Sequence, residues 1–217
     1  IIIPIYLGLS SLLMYTFGKI KYLNIILKEE ESISNHEFYT LFSNTLNEIE
    51  SFVNYTEDWR LIVSFLTGIN SIDFIYKINV NTTNTILEYF KKYVCYDNHV
   101  VKLEITKLAV RLMRSKVKDQ VLATVYEEFY KSNTFYKRRY FFHFIDLCVN
   151  NYSITYLVKN GIIDYLINYM DYGIEVANII NMMPKIVPVI ENTSHMQNFL
   201  KKLEKYRDSK DIEISKV

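Results

Sequence analysis

The chain is 217 residues long, half of them hydrophobic, with 25 Lys and Arg against 24 Asp and Glu and a formal net charge of +1. That composition excludes general disorder, which goes with few apolar residues and a large net charge. It also argues against a dedicated nucleic-acid binder, whose basic excess gathers on one face. Five Gly and three Pro leave little turn chemistry for a many-stranded β protein, so the expected class is all-α, helices joined by short polar turns.

Residues 1–18, IIIPIYLGLSSLLMYTFG, carry no charge and just reach the ~18 residues at which a membrane helix becomes a candidate. No basic segment precedes the apolar run, so it does not read as a signal peptide. Ile2, Ile5, Tyr6 and Leu9 fall at i, i+3, i+4 and i+7, one face of a helix. Pro4 stands near its start, where proline costs little. The expectation is a helix sandwiched between neighbours rather than a membrane span. The chain lacks a starting Met, and the expectation is that it begins inside a longer protein. Glu29, Glu30 and Glu31 are consecutive, so they cannot share a helix face and read as a solvated helix end before a loop.

The same apolar spacing then recurs. A looser copy runs Phe42, Leu46, Ile49 and Val53. Regular copies are Ile86, Tyr89, Phe90, Tyr93; Leu122, Val125, Tyr126, Phe129; Ile163, Leu166, Ile167, Met170; and Met196, Phe199, Leu200, Leu203. Each marks an amphipathic helix of about three turns. A polar turn follows each block, TFGKIK near residue 18, YTEDWR near 57, YDNHVVK near 98, SNTFYKRR near 135, DYGIEVA near 173 and RDSKDIE near 210. A second helix comes after the turn. Aligned on Lys21, Ile62, Lys102, Arg139 and Ala177, the second helices are separated by 41, 40, 37 and 38 residues.

A two-helix unit repeating at about 40 residues is the signature of a HEAT-type array, in which neighbours must stack because one pair cannot bury its apolar face alone. The expected architecture is a single α-solenoid domain over residues 1–217, of about six stacked antiparallel helix pairs, the first and last incomplete. The units fall at approximately 1–34, 35–78, 79–115, 116–152, 153–191 and 192–217.

This period decides how to read SNTFYKRRYFFHF, residues 132–144. Cations among aromatic rings suit a groove for single-stranded nucleic acid. In register with the repeat, the same stretch is a turn and the first turns of a second helix. Tyr140, Phe141, Phe144 and Ile145 then enter the core, Asn133 or Thr134 caps the helix, and Lys137, Arg138 and Arg139 form a solvated face or the concave ridge.

A search for chemistry finds none. The five glycines are isolated, with no phosphate loop. His36, His99, His143 and His195 have no partner at metal-ligand spacing, so no metal and no cofactor is expected. Asp97-Asn98-His99 reads as a helix cap. Cys95 and Cys148 are far apart and read as buried free thiols in a reducing compartment. The glycosylation-type triplets at Asn54, Asn81, Asn151 and Asn192 are expected by chance in a chain so rich in Asn, Ser and Thr. The chain is therefore expected not to be an enzyme.

Four stretches carry a more specific likeness: IIPIYLGL (2–9), an apolar first helix with Pro; KIKYLNII (19–26); EDWR (57–60), a Trp-Arg pair in a turn; and KIVPVIENTS (185–194), of the form Lys-Ile-x-Pro-apolar-apolar-acid-Asn. In this collinear order, over essentially its whole length, the chain resembles the C-terminal half of the HEAT-repeat scaffold (A) subunit of the type-2A protein serine/threonine phosphatase. The related HEAT regulatory subunit of the phosphatase-4 complex is a close second. Ala177 departs from the family, which usually has Arg there.

The resemblance implies a non-catalytic scaffold, cytoplasmic or also nuclear, that holds a phosphatase catalytic subunit on its intra-unit turns. A variable regulatory subunit would be held by units that this chain lacks. It implies that Trp59 and Arg60 contact the catalytic subunit. His99 stands where the family often has Tyr, Tyr136 keeps an aromatic in the following turn, and the region of Gly173 and Ile174 extends the ridge. The residues point the same way for Trp59. It is the only Trp, it lies at a polar turn, and exposed Trp and Arg dominate binding hot spots. The competing reading packs Trp59 back onto its own helix pair. Two other functions stay open: a HEAT-repeat interaction solenoid for nuclear transport or complex assembly, and a nucleic-acid array. The second requires Lys102, Lys137, Arg138, Arg139 and Lys185 to converge into one positive stripe.

Overall fold

The computed structural model describes residues 18, 35–71, 80–131, 135–150, 154–171, 176–190 and 194–204. Every regular element among them is helical, as expected. In chain order these are α1 (Asn35–Thr56), α2 (Trp59–Asn70), α3 (Val80–Val94), α4 (His99–Leu112), α5 (Lys118–Val125), α6 (Phe135–Asn150), α7 (Ile154–Lys159), α8 (Ile162–Asp171), α9 (Val176–Ile190) and α10 (Ser194–Glu204). α5 runs directly into a π-helical turn at Tyr126–Tyr130. The expected pair over 1–34, with Pro4 and Glu29 to Glu31, lies outside the described residues apart from Gly18. So do Asn133 and Thr134. No helix among the described residues is long and apolar enough to cross a membrane.

The amphipathic blocks seen in the sequence lie in α1, α3, α5 with its π turn, α8 and α10. The expected second helices are α2, α4, α6 and α9. One element was not foreseen: the short α7, which buries Ile154 and Leu157 and ends at Gly161. There the backbone turns to φ +81°, a conformation open to glycine at no steric cost.

The chain divides into two compact units, Ile1–Phe141 and Phe142–Val217. In the first, α2 packs on α1 and most extensively on α4. α3 packs on α1 and α4, and α5 on α4. Sequence neighbours thus touch at α1–α2, α3–α4 and α4–α5, and helices two apart touch at α1–α3 and α2–α4. Leu46, Val53, Phe65, Leu66, Ile86, Phe90, Val101, Ile105 and Phe129 are buried in its core.

The polar bonds between α1 and α3 recur at similar offsets. Ser43 Oγ lies 2.8 Å from Thr82 Oγ1, and the Tyr89 hydroxyl donates to Asn47 Oδ1 at 2.6 Å. Lys92 and the Tyr93 hydroxyl both donate to Glu50. In the turns beyond, the Tyr96 hydroxyl donates to the Glu57 carbonyl at 3.2 Å. The partners are separated by 39, 42, 42, 43 and 39 residues in sequence.

Burial, and then the Glu50 carboxylate, push the Tyr89 and Tyr93 phenols well above their ordinary value of 10.0. A raised folded-state pKa contributes stability that is complete below the unfolded value, about 10, and is lost as pH rises beyond it. Phe has no proton to lose. Thermal melts of Tyr93→Phe between pH ~9 and ~12 are expected to fall less steeply with pH than those of the wild type. Parallel slopes would show that Tyr93 ionises alike in the folded and unfolded chain.

In the second unit α7 packs on α8 and α9, α8 on α9 and α10, and α9 on α10. Phe142 and Tyr169 stack with ring centroids 5.3 Å apart. Lys185 Nζ donates to Asp146 Oδ1 at 3.1 Å, again 39 residues apart. Pro184 and Pro188 lie inside α9, and both are exposed. Their spacing of one helical turn puts both missing N–H groups on one face, so the helix continues where an isolated sequence rule would end it.

Candidate functional site

The first turn of interest joins α1 to α2. Asp58 is the N-cap of α2, accepting from the Arg60 backbone N–H at 2.9 Å. The same carboxylate takes the Arg60 guanidinium, through Nε at 3.1 Å and Nη2 at 2.9 Å. Asp58 is thereby shielded, with its side chain 7% exposed, while Arg60 keeps 57% of its side chain in water. Glu57, just before, holds a left-handed φ of +49°, so the chain reverses sharply and leaves Trp59 as the first residue of α2. Trp59 is 40% exposed, and Tyr55 on the other side of the turn is 88% exposed.

The next turn joins α3 to α4. Asn98 is the N-cap, its Oδ1 accepting from the N–H groups of Val100 at 2.9 Å and Val101 at 3.2 Å. The cap expected from the sequence is therefore present. It leaves His99 as the first residue of α4, the position that Trp59 holds in α2, with His99 and Val100 exposed. His99 Nδ1 lies 2.6 Å from the Tyr140 hydroxyl of α6. The Tyr140 hydroxyl is held protonated by burial, with Asp97 adding to the effect. It can donate to the imidazole or accept from it, according to which ring nitrogen carries the proton.

Between this turn and the start of α6 lies a cavity of about 750 Å³, lined by Cys95, Asp97, Asn98, His99, Lys102, Lys137, Arg139 and Tyr140. Lys102 is only 2% exposed. Its ammonium donates to the Val94 carbonyl at the end of α3 and sits 5.6 Å from the centre of the Phe129 ring. Burial lowers its pKa first, and the nearby Lys137 lowers it further, against the pull of Glu128, Cys95 and Asp97. Phe129 and Glu128 both belong to the π turn.

Among the residues singled out from sequence, Trp59, Arg60 and His99 stand at the two turns just described. The backbone of Tyr136 lies in α6, but its side chain is outside the described residues, as are Gly173 and Ile174. Of the proposed positive stripe, Lys102, Lys137 and Arg139 meet in one cavity, whereas Lys185 pairs with Asp146 in the second unit. The burial of Lys102 was not anticipated. The signal was its place one residue after Val101 and three before Ile105, on the face that packs inward.

The two cysteines also part company. Cys148 is buried as expected, and Cys95 is exposed, because it follows the last residue of α3 at the lip of the turn. Cys95 still resists ionisation, held protonated first by partial burial and then by the nearby Glu128 carboxylate. Burial alone holds Cys148 protonated. The thiolate is the reactive form. An aromatic disulfide reagent is therefore expected to label one thiol of the native chain slowly at neutral pH, and both after unfolding. Two fast equivalents in the native state would refute this assignment. No group of three His, Cys, Asp or Glu that could hold a metal ion occurs among the described residues.

No protein-family model, curated protein or solved structure matches this chain.

Proposed function

We propose that the chain is a non-catalytic scaffold of stacked helix pairs that holds the catalytic subunit of a type-2A-family serine/threonine phosphatase on its intra-unit turns. The observation that carries the docking surface is Trp59, 40% exposed at the first position of α2, with Tyr55 beside it and Arg60 already oriented. One unit further on, His99 and Val100 are exposed at the corresponding turn. A large aromatic side chain left in water at the head of a helix, flanked by an ordered guanidinium, is the composition of a protein-binding hot spot.

The stacked-pair architecture draws support from the polar bonds between residues 39 to 43 apart. Those offsets lie close to the sequence period of 37 to 41, within it or up to two residues above it, near what is expected when equivalent positions of successive pairs face one another. The identity of the partner draws support only from the four stretches of sequence likeness. Function in such a scaffold comes from position: the turns place an enzyme, and the chain itself does no chemistry.

The test is titration calorimetry of this chain into a type-2A-family phosphatase catalytic subunit. Micromolar or tighter binding is the expected result. No binding by a chain shown to be folded and helical would overturn the phosphatase reading, and pull-down from cell extract would then look for a different protein partner.

A further inference from the structure

The cavity between the α3–α4 turn and the start of α6 brings three cationic side chains to one space. Lys102, Lys137 and Arg139 line it, against the single carboxylate of Asp97, with Glu128 behind Cys95 and Lys102. Among the described residues Lys137 makes no hydrogen bond and no ion pair. Two ammonium groups are nonetheless held close enough for Lys137 to disfavour the charge on Lys102. Like charges confined together in a partly enclosed space are an unrelieved electrostatic cost, and an anion entering that space relieves it.

The remaining walls suit the same ligand. α4 directs its amino terminus, the positive end of its dipole, at the turn that lines the cavity. His99 also lines the space, with its Nδ1 engaged by the Tyr140 hydroxyl. The guanidinium of Arg139 can present two parallel N–H groups to a pair of phosphate oxygens, which an ammonium cannot. At about 750 Å³ the space exceeds what a bare ion fills and falls in the range of small-molecule sites.

We propose that this cavity is a binding site for a phosphomonoester dianion carrying an organic body, with Lys137 and Arg139 grasping the phosphate and Lys102 lending its charge from the buried wall. The phosphate is the shared chemistry. It can arrive on a small soluble molecule or on a phosphorylated side chain, and the two are separated by experiment. The inference needs only one turn and one helix, so it stands whether or not a phosphatase docks on the turns.

The probe is phenyl phosphate, titrated into the full chain and followed by calorimetry and by the rate at which Cys95 reacts with an aromatic disulfide. Cys95 lines the cavity, so a bound ligand is expected to slow its labelling at the same concentrations that give heat. Removing the half-buried Lys137 and the exposed Arg139 charges together, in Lys137→Gln/Arg139→Gln, is expected to weaken binding at least tenfold without loss of helicity. Lys185→Gln, in the second unit, is expected to leave it unchanged. A phosphoserine tripeptide forms the second arm: tighter binding than phenyl phosphate assigns the site to phosphorylated polypeptides, and weaker binding assigns it to small phosphorylated molecules. No binding at millimolar phenyl phosphate overturns the proposal. So does binding that survives the double substitution or leaves Cys95 labelling untouched.

Discussion

Phe65→Ala is expected to destabilise the chain by about 3–5 kcal/mol, the usual cost of emptying a fully buried phenyl site. Phe65 lies on α2 with no measurable exposure, and its ring meets two others edge-on. The centroids are 5.2 Å from Tyr89 at 71° and 6.3 Å from Tyr93 at 69°. Those two tyrosines also carry the hydrogen bonds that join α3 to α1. Loss of the ring therefore opens a cavity where three helices meet and frees the tyrosines to shift. A typical domain is stable by only about 5–15 kcal/mol, so much of the margin goes. Urea unfolding followed by circular dichroism measures the loss, with Phe65→Leu as the milder companion. A loss below about 1 kcal/mol would show that the ring does not occupy the core.

Trp59→Ala is expected to act on binding rather than on folding. Because Trp59 is 40% exposed, its truncation should change stability by no more than about 1 kcal/mol, close to a surface substitution. Against a phosphatase catalytic subunit the same truncation should weaken affinity by about 2 kcal/mol or more, roughly thirtyfold, chiefly through faster dissociation. The two quantities separate the two readings of this residue. A large loss of stability with unchanged affinity would mean that Trp59 packs back onto its own helices. An affinity within about twofold of wild type, in a chain of normal stability, would remove Trp59 from the interface.

Helical periodicity made the core legible in advance. Ile86, Tyr89, Phe90 and Tyr93 are all buried, as are Ile163, Leu166, Ile167 and Met170, and the four residues expected inward from α6, Tyr140, Phe141, Phe144 and Ile145. The rule failed at the end of the described chain, where Leu200 is 48% exposed. Periodicity marks the apolar stripe of a helix, and not how much of that stripe a neighbour covers. The helix cap at Asn98 is legible because a cap is a local bargain between one side chain and the next few N–H groups, whereas the cap at Asp58 is not read from EDWR.

The cavity was not legible, for the opposite reason. Lys102 and Arg139 are 37 residues apart, and the sequence places only Arg139, with Lys137 and Arg138, on a solvated face or ridge. Only the packing of the α3–α4 turn against the start of α6 sets them around one space. The π turn at Tyr126–Tyr130 is equally silent in sequence. Its residues YEEFY fit an ordinary helical pattern, yet the turn supplies both the ring beside Lys102 and the carboxylate that helps keep Cys95 protonated.

Arg60 is anchored before any partner arrives. Its guanidinium is fixed to Asp58 by two side-chain hydrogen bonds, so most of the rotamers open to a free arginine are already closed. Immobilising a long side chain at an interface ordinarily costs about 0.5–1.5 kcal/mol in entropy. For Arg60 that loss belongs to folding instead of association. A partner meeting this turn encounters a rigid fork rather than a sweeping chain, and the geometry of the turn itself, through the cap at Asp58, sets how selective that encounter is.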